Sequence, residues 1–225
     1  MTTLRQTLEV LRKELLVEWR SPARISGLFA FALALLLMVA FASPSESALR
    51  NSAGGTLWLG LLLASTRSMD QSWAAEIEHD AAEGMLLWPV DPRAIFYGKA
   101  LANTLVLLVV AIGLFPLLVA LYNVDVRADP VMLLGFGVLG TAALAAPGTL
   151  YGLMTARARG SSVLLPLLLF PLVVPALLAA ARGTTVVLEG DPMLQGGAWL
   201  GLLLAFNAIH WSLSGLLFGR VLEDG

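Results

Sequence analysis

Three polar side chains in the last apolar segment of the chain have the types and the spacing to do chemistry: Asn207, His210 and Ser214. Their intervals of three and four residues place them on one face of a helix. A histidine ring nitrogen can ligate a metal ion or haem iron, and the stripe can form a polar path. The same groups can instead form hydrogen bonds with a neighbouring helix. The sequence leaves both interpretations open.

A second candidate site is the charged segment 70–88, which we predict to be a short amphipathic helix. Trp73 and Ile77 fall on one side, and three acids fall on another at helical intervals: Glu76, Asp80 and Glu83. Such a helix, lying parallel to a membrane, can dock into a groove of a partner protein and couple the two. It can equally be a solvated helix whose acids only keep it out of lipid.

Prolines interrupt two of the apolar segments. Pro147 lies in one of them, and three more follow at short intervals in the next: Pro166, Pro171 and Pro175. Each removes an i→i−4 hydrogen bond from a helix and favours a kink. We predict a hinge at these residues, the alternative being irregular packing without a mechanical role.

Several chemistries have no motif in this chain. There is no cysteine, no GxxxxGK(S/T) loop for a nucleotide, no HExxH pair and no pair of acids inside an apolar segment. We therefore predict that the chain is not an enzyme and holds no metal site. Its net charge of −2 does not suggest a nucleic-acid partner. The stretch 135–140 matches GxGxxG, but no βαβ unit surrounds it, so we assign its glycines to close helix packing.

The elements that must position these residues are long apolar runs. Hydrophobic residues make up 58% of the chain and charged residues only 13%, about half the charged share of a soluble domain. A helix of about 20 apolar residues crosses a hydrocarbon core of about 30 Å. We predict an all-α polytopic membrane protein, one transmembrane domain over residues 1–225, with six spans: 25–42, 53–65, 100–122, 131–155, 163–181 and 198–219.

An amphipathic helix is predicted before the first span, over residues 4–20. Leu4, Leu8, Leu11 and Leu15 form one stripe along it, and charged residues cover the remainder. This pattern suits a helix that lies at the membrane interface better than one that spans it.

Lys and Arg predict the orientation of the chain. With six spans, 11 of these residues fall on the side that holds both termini and the loops after spans two and four, and 3 fall on the other side. Because cytoplasmic loops carry the excess of basic residues, we predict that both termini are cytoplasmic.

The order of several short segments along nearly the whole chain resembles that of the haem exporter protein B family, CcmB, an ABC-2-like permease subunit of the cytochrome c maturation complex. An N-terminal amphipathic helix precedes the first span, and an acidic helix closes in the sequence EGMLLWP, residues 83–89. The more specific segments follow in this order: Ala146-Pro147-Gly148, Arg159-Gly160, Leu165-Pro166 and the sequence FPLVVP at 170–175.

The resemblance implies a permease in the bacterial inner membrane that takes part in haem export or haem-chaperone release for c-type cytochromes. It implies four kinds of partner: a cytoplasmic ABC ATPase that binds ATP, a second copy of the chain, companion haem-handling membrane proteins and a periplasmic haem chaperone. Haem would be a transported or handled ligand. The tryptophan-rich haem motif of the companion protein is absent here, so we expect no firmly bound cofactor.

Two other functions fit the same sequence. One is an ABC-2 permease for a lipid or a drug. The other is a membrane scaffold that transmits the strokes of a partner ATPase to haem-handling proteins without transporting anything itself.

Overall fold

The computed structural model describes residues 3–20, 23–78, 90–124, 129–157 and 164–223. Within these ranges the chain forms seven α-helices and no strand. They are α1 (Thr3–Arg20), α2 (Ala23–Ala42), α3 (Glu46–Glu78), α4 (Pro92–Tyr122), α5 (Pro130–Arg157), α6 (Leu164–Leu188) and α7 (Gly196–Glu223). The predicted all-α architecture is confirmed.

Five of these helices, α2, α4, α5, α6 and α7, are long and apolar enough to cross a membrane. The chain is therefore a polytopic membrane protein. The prediction of six spans is not confirmed, because α3 is not among the five. The physical reason is composition: α3 includes Glu46, Arg50, Arg67 and Asp70 together with many hydroxyl side chains.

The largest difference from the sequence prediction concerns α3. The sequence predicts a short span at 53–65 followed by a separate helix at 70–88, but one continuous helix of 33 residues runs to Glu78. Two hydroxyl side chains in its middle do not interrupt it, because each is buried and bonds to its own helix. Ser65 Oγ donates to Leu62 O at 2.7 Å, and Thr66 Oγ1 donates to Leu63 O at 2.9 Å. The helix packs against α2, α4, α5 and α6 and so has protein neighbours on several sides.

Helix α4 begins earlier than its apolar run. Asp91 caps its N-terminus by accepting the Arg93 N–H at 2.9 Å, and Pro92 occupies the first turn, where its missing N–H costs nothing. Arg93 and Lys99, which the predicted spans leave in a loop, therefore belong to the helix. At the other end Asn123 adopts a left-handed conformation with φ 49°, which asparagine tolerates well.

Small residues allow the helices to approach closely, as predicted for the GxGxxG stretch. A side chain at Gly140 of α5 would overlap the six-membered ring of Trp58 on α3. Trp58 cannot easily turn away, since its Nε1–H donates to Thr184 Oγ1 on α6 at 3.0 Å. A Cβ at Gly197 or Gly201 would have no neighbouring atom within 4 Å, so close packing does not explain these two glycines.

The end of α6 also extends beyond its predicted bound of residue 181, to Leu188. Gly183 and Thr184 are buried there, with Gly183 against the Phe136 ring of α5 and Thr184 bonded to Trp58. Arg182 therefore lies in a helix and not in a loop. A prediction based on hydropathy ends the span too early, because the extension contains the polar residues Arg182, Thr184 and Thr185.

Helix α1 forms over almost the predicted range and packs along the first turns of α4. Gly98 of α4 permits this contact, since a Cβ there would lie only 2.6 Å from Val10 Cβ. Other apolar side chains of α1 remain exposed: Leu4, Leu8, Leu16, Val17 and Trp19.

Candidate functional site

Asn207 joins α7 to α5. Its Nδ2 donates to Leu139 O on α5 and to Leu203 O on its own helix, both at 2.9 Å. Its Oδ1 accepts the Trp211 Nε1–H at 3.1 Å, and the same N–H lies 3.2 Å from Ala142 O on α5. Asn207 and Trp211 thus supply the interhelical hydrogen bonds at this level of the bundle.

His210 bonds within α7. Its Nδ1 lies 2.9 Å from Phe206 O, and its ring stacks on the Phe206 ring with the centroids 3.8 Å apart. A carbonyl oxygen can only accept, so Nδ1 is assigned the proton and Nε2 is the nitrogen left for a ligand. The interhelical bond that the sequence suggested for His210 is made by Asn207 and Trp211 instead.

A pocket of about 530 Å³ lies between α5, α6 and α7 and contains His210. Ser214 and Arg220 of α7 also line it, whereas Asn207 does not. The other lining residues are mostly apolar: Pro147, Leu150, Tyr151, Met154, Leu172, Leu213, Leu217 and Val221. The predicted polar stripe is therefore divided. His210 and Ser214 face the pocket, and Asn207 faces α5.

The prolines predicted as hinges fall in different environments. Pro147 lies inside α5 and lines the pocket beside His210. Pro171 and Pro175 lie inside α6, but Pro166 falls in its first turn, where no backbone hydrogen bond is lost. Pro166 is thus not placed to kink α6. A further proline inside a helix, Pro116 of α4, was not singled out from the sequence.

The residues predicted to couple the chain to a partner are only partly described. Trp73 is fully buried and its Nε1–H donates to Thr149 O on α5 at 3.0 Å. Its ring also packs against Phe218 of α7, with centroids 5.9 Å apart. Trp73 therefore anchors the C-terminal part of α3 and presents no surface to a partner. Glu76 and Ile77 continue the backbone of α3, and their side chains, like the whole of Asp80 and Glu83, lie outside the described residues.

Sequence reasoning missed a buried cation. Lys99 of α4 is only 1% exposed, and its Nζ lies 3.2 Å from Glu14 Oε1 on α1. The same ammonium lies 3.3 Å from Ser72 O and 3.2 Å from Ser72 Oγ on α3, and 4.5 Å from the centre of the Trp73 ring. One charge carried by α4 thus contacts two other helices, α1 and α3. The available signal was a lysine placed between Gly98 and a long apolar run.

The pKa values of Glu14 and Glu18, two carboxylates of α1, are shifted in opposite directions. Burial alone would raise the pKa of Glu14, but the ammonium groups of Lys99 and Lys13 hold it below its ordinary value. Burial raises the pKa of Glu18, and the Arg24 guanidinium opposes this only partly. Arg24 Nε lies 2.6 Å from Glu18 Oε1, which ties the end of α1 to the start of α2.

Side chains that could hold a metal ion are dispersed. Across the part of the chain that the structure describes, no three His, Asp or Glu side chains come close enough together to do so.

Similarity to known proteins covers almost the whole chain. The sequence model of the family described as CcmB protein matches residues 5–223. The chain belongs to the CcmB family. The seven helices that the structure describes in this CcmB chain lie within or directly at the edge of that match.

Relatives of this CcmB chain carry one common description, "Heme exporter protein B". The relative from Rhodobacter capsulatus is 34% identical over 72% of the chain and 77% of its own length. The relative from Pseudomonas aeruginosa is 27% identical over 87% and 88%, and that from Escherichia coli K12 is 28% identical over 88% and 90%. The family predicted from the order of the short segments is thereby confirmed.

Proposed function

We propose that this chain is the transmembrane permease subunit of an ABC-type haem-export complex that serves c-type cytochrome biogenesis. The observation that carries the proposal is the family match over residues 5–223, together with relatives described as heme exporter protein B over most of their length. The chain works with a separate ATP-hydrolysing subunit and has no ATPase activity of its own. Its other partners are a second copy of itself, haem-handling membrane proteins and a periplasmic haem chaperone.

Deletion of the gene in its own bacterium tests this proposal. We expect membrane-bound c-type cytochromes, detected by covalent haem staining after gel electrophoresis, to disappear while b-type cytochromes keep their absorbance. A plasmid copy should restore them. Unchanged c-type cytochromes in the deletion strain would contradict the proposal and favour a permease for a lipid or a drug.

We further propose that α3 crosses the inner membrane as a sixth span and that both termini are cytoplasmic. A helix of 33 residues is about 50 Å long at 1.5 Å per residue, which exceeds a hydrocarbon core of about 30 Å. Its packing against four other helices gives many of its polar side chains protein neighbours in place of lipid. Two contacts support placing the C-terminal ends of α3 and α7 on the same side of the membrane as the N-terminal end of α4. Lys99 of α4 lies beside Ser72 of α3, and Pro92 of α4 lies beside Gly219 of α7.

The C-terminal end of α3 and the acids beyond it are proposed to contact the ATPase. Trp73 fixes this end in the bundle, and the helix continues past it to Glu78. Glu76, Asp80 and Glu83 would then supply a negative surface for the partner, and Ile77 an apolar one. Charge complementarity of this kind governs association and partner choice.

Charge reversal tests the contact. Glu76→Lys combined with Glu83→Lys should reduce co-purification of the ATPase at least tenfold. Glu46→Lys is the matched control, because it reverses an exposed acid at the opposite end of the same helix. Equal recovery of the ATPase with the double variant and with the control would rule out this docking site.

We propose that the chain contacts haem as a transported substrate and does not bind it firmly. The pocket offers one imidazole nitrogen of His210, a hydroxyl of Ser214 and the guanidinium of Arg220 in largely apolar surroundings. A single imidazole supplies one axial ligand, which is a weak hold on haem iron. Pro147 lines the same pocket, so bending of α5 there would change the shape of the pocket. Pro171 and Pro175 are proposed to give α6 the same freedom.

Haem titration of the purified chain tests this part. We expect no tight, saturable absorbance band. The chain contains two histidines, so His79→Ala is a matched control for His210→Ala. A saturable band that His210→Ala removes and His79→Ala keeps, at equal protein yield, would show that the pocket is a firm haem site.

A further inference from the structure

The buried ammonium of Lys99 holds together three helices that differ in their roles. It contacts Glu14 of α1 and Ser72 of α3, while Lys99 itself belongs to α4. Burying an ammonium group is costly, and an apolar side chain of similar size often serves stability equally well. Stability alone therefore does not account for a lysine at this position.

The contacts around Lys99 are suited to coupling a movement of the C-terminal end of α3 to a movement of α1. One residue before it, Gly98 lets α1 approach the backbone of α4. One residue after Ser72, Trp73 lies under the same ammonium at 4.5 Å and is bonded to Thr149. From there α3 continues for five residues to Glu78. A displacement of this end of α3 would thus reach the Lys99 ammonium through a short, bonded path.

We propose that Lys99 is a positioning residue that makes α1 follow the C-terminal end of α3 during the ATP cycle. The ion pair between Lys99 and Glu14 is the contact that moves α1 together with α4 and the end of α3. The inference rests on the proposed function, since it takes the end of α3 as the element that the ATPase moves. It adds that α1, with its exposed apolar stripe, is a moving part and not a passive anchor.

Distance measurement tests this directly, and the chain contains no cysteine that would interfere with labelling. Spin labels on cysteines at exposed positions 12 of α1 and 212 of α7 report the position of α1 relative to the bundle. In the assembled complex we expect the distance distribution to change when ATP is bound. Lys99→Met should abolish that change and Lys99→Arg should keep it. Arg93→Met, which removes an exposed cation of the same helix, should leave it intact.

A second readout separates coupling from folding. Lys99→Met should keep the yield of complex and its ATP hydrolysis within about twofold, while release of the haem-loaded chaperone per ATP falls at least tenfold. An ATP-dependent change of distance that survives in Lys99→Met would overturn the inference, as would the absence of any such change in the parent chain. Because the distance measurement needs no haem, failure of the proposed haem function would appear separately, as an intact movement without chaperone release.

Discussion

Replacing Gly140 by alanine should destabilise the bundle, although the same change usually stabilises a helix. A methyl group at this position of α5 would overlap the six-membered ring of Trp58. The ring is buried and held by its hydrogen bond to Thr184, so turning it away would cost that bond. We therefore expect the substitution to move α5 away from α3 and to break that bond.

The expected magnitude follows from three contributions. Overpacking a close-packed core costs about 1–3 kcal/mol, and losing the Trp58–Thr184 hydrogen bond costs about 1 kcal/mol more. The better helix propensity of alanine returns about 0.5–1 kcal/mol. The free energy of unfolding should thus fall by about 1–3.5 kcal/mol. At about 2–4 °C per kcal/mol for a chain of this size, the melting temperature should fall by about 2–14 °C.

Thermal unfolding of the detergent-solubilised chain, followed by tryptophan fluorescence, measures this difference. Gly201→Ala is the matched control, because it is also a helical glycine but has no atom within 4 Å of the added methyl group. Its melting temperature should stay level or rise. Trp58→Phe removes the ring atoms that Gly140→Ala would meet, so the penalty should shrink in that background. Equal melting temperatures for Gly140→Ala and Gly201→Ala would refute the reasoning.

Three further predictions concern hydrogen bonding, pH and orientation. Asn207→Leu should lower the free energy of unfolding by about 1–2 kcal/mol, because it removes the polar link from α7 to α5; an unchanged melting temperature would contradict this. Glu14 has a lowered pKa, so its stabilising contribution is present above its ordinary value of 4.5 and is lost as pH falls further. The melting temperatures of the parent chain and Glu14→Gln should therefore differ at about pH 7, and the difference should shrink progressively as pH falls below 4.5; a difference that does not shrink would exclude the ion pair as its source. Reporter fusions should place Gly225 and residues 157–160 in the cytoplasm and Glu189 in the periplasm, and a periplasmic Gly225 would overturn the proposed topology.

Much of the fold could be predicted from hydropathy, because five helices are apolar enough to enter lipid on their own. Helix α3 could not be delimited in this way. Its stability depends on protein neighbours that accept its polar residues, and the sequence of one segment does not show its neighbours. The position of Lys99 was missed for the same reason, since its partners Glu14 and Ser72 are distant in the chain.

The candidate site was predicted only in part. The spacing of Asn207, His210 and Ser214 correctly indicates one face of a helix, but it does not indicate what lies opposite that face. At the level of Asn207 the neighbour is a backbone carbonyl of α5, whereas His210 and Ser214 border the pocket beside Pro147. The helical spacing shows which face of the helix a side chain lies on, but the atoms around that side chain depend on how the helices pack.

The composition of α3 has a consequence for how the chain enters the membrane during synthesis. Insertion of a segment from the translocation channel depends on its own partitioning into lipid, and charged residues oppose it. Helix α3, with its acids and arginines, would partition poorly as an isolated segment. If α3 is the proposed sixth span, it has to wait beside α2 until α4 emerges and gives its polar side chains a protein surface. Mutations that weaken α4 would then appear first as mislocalised α3 and degraded chain, before any effect on a finished protein could be measured.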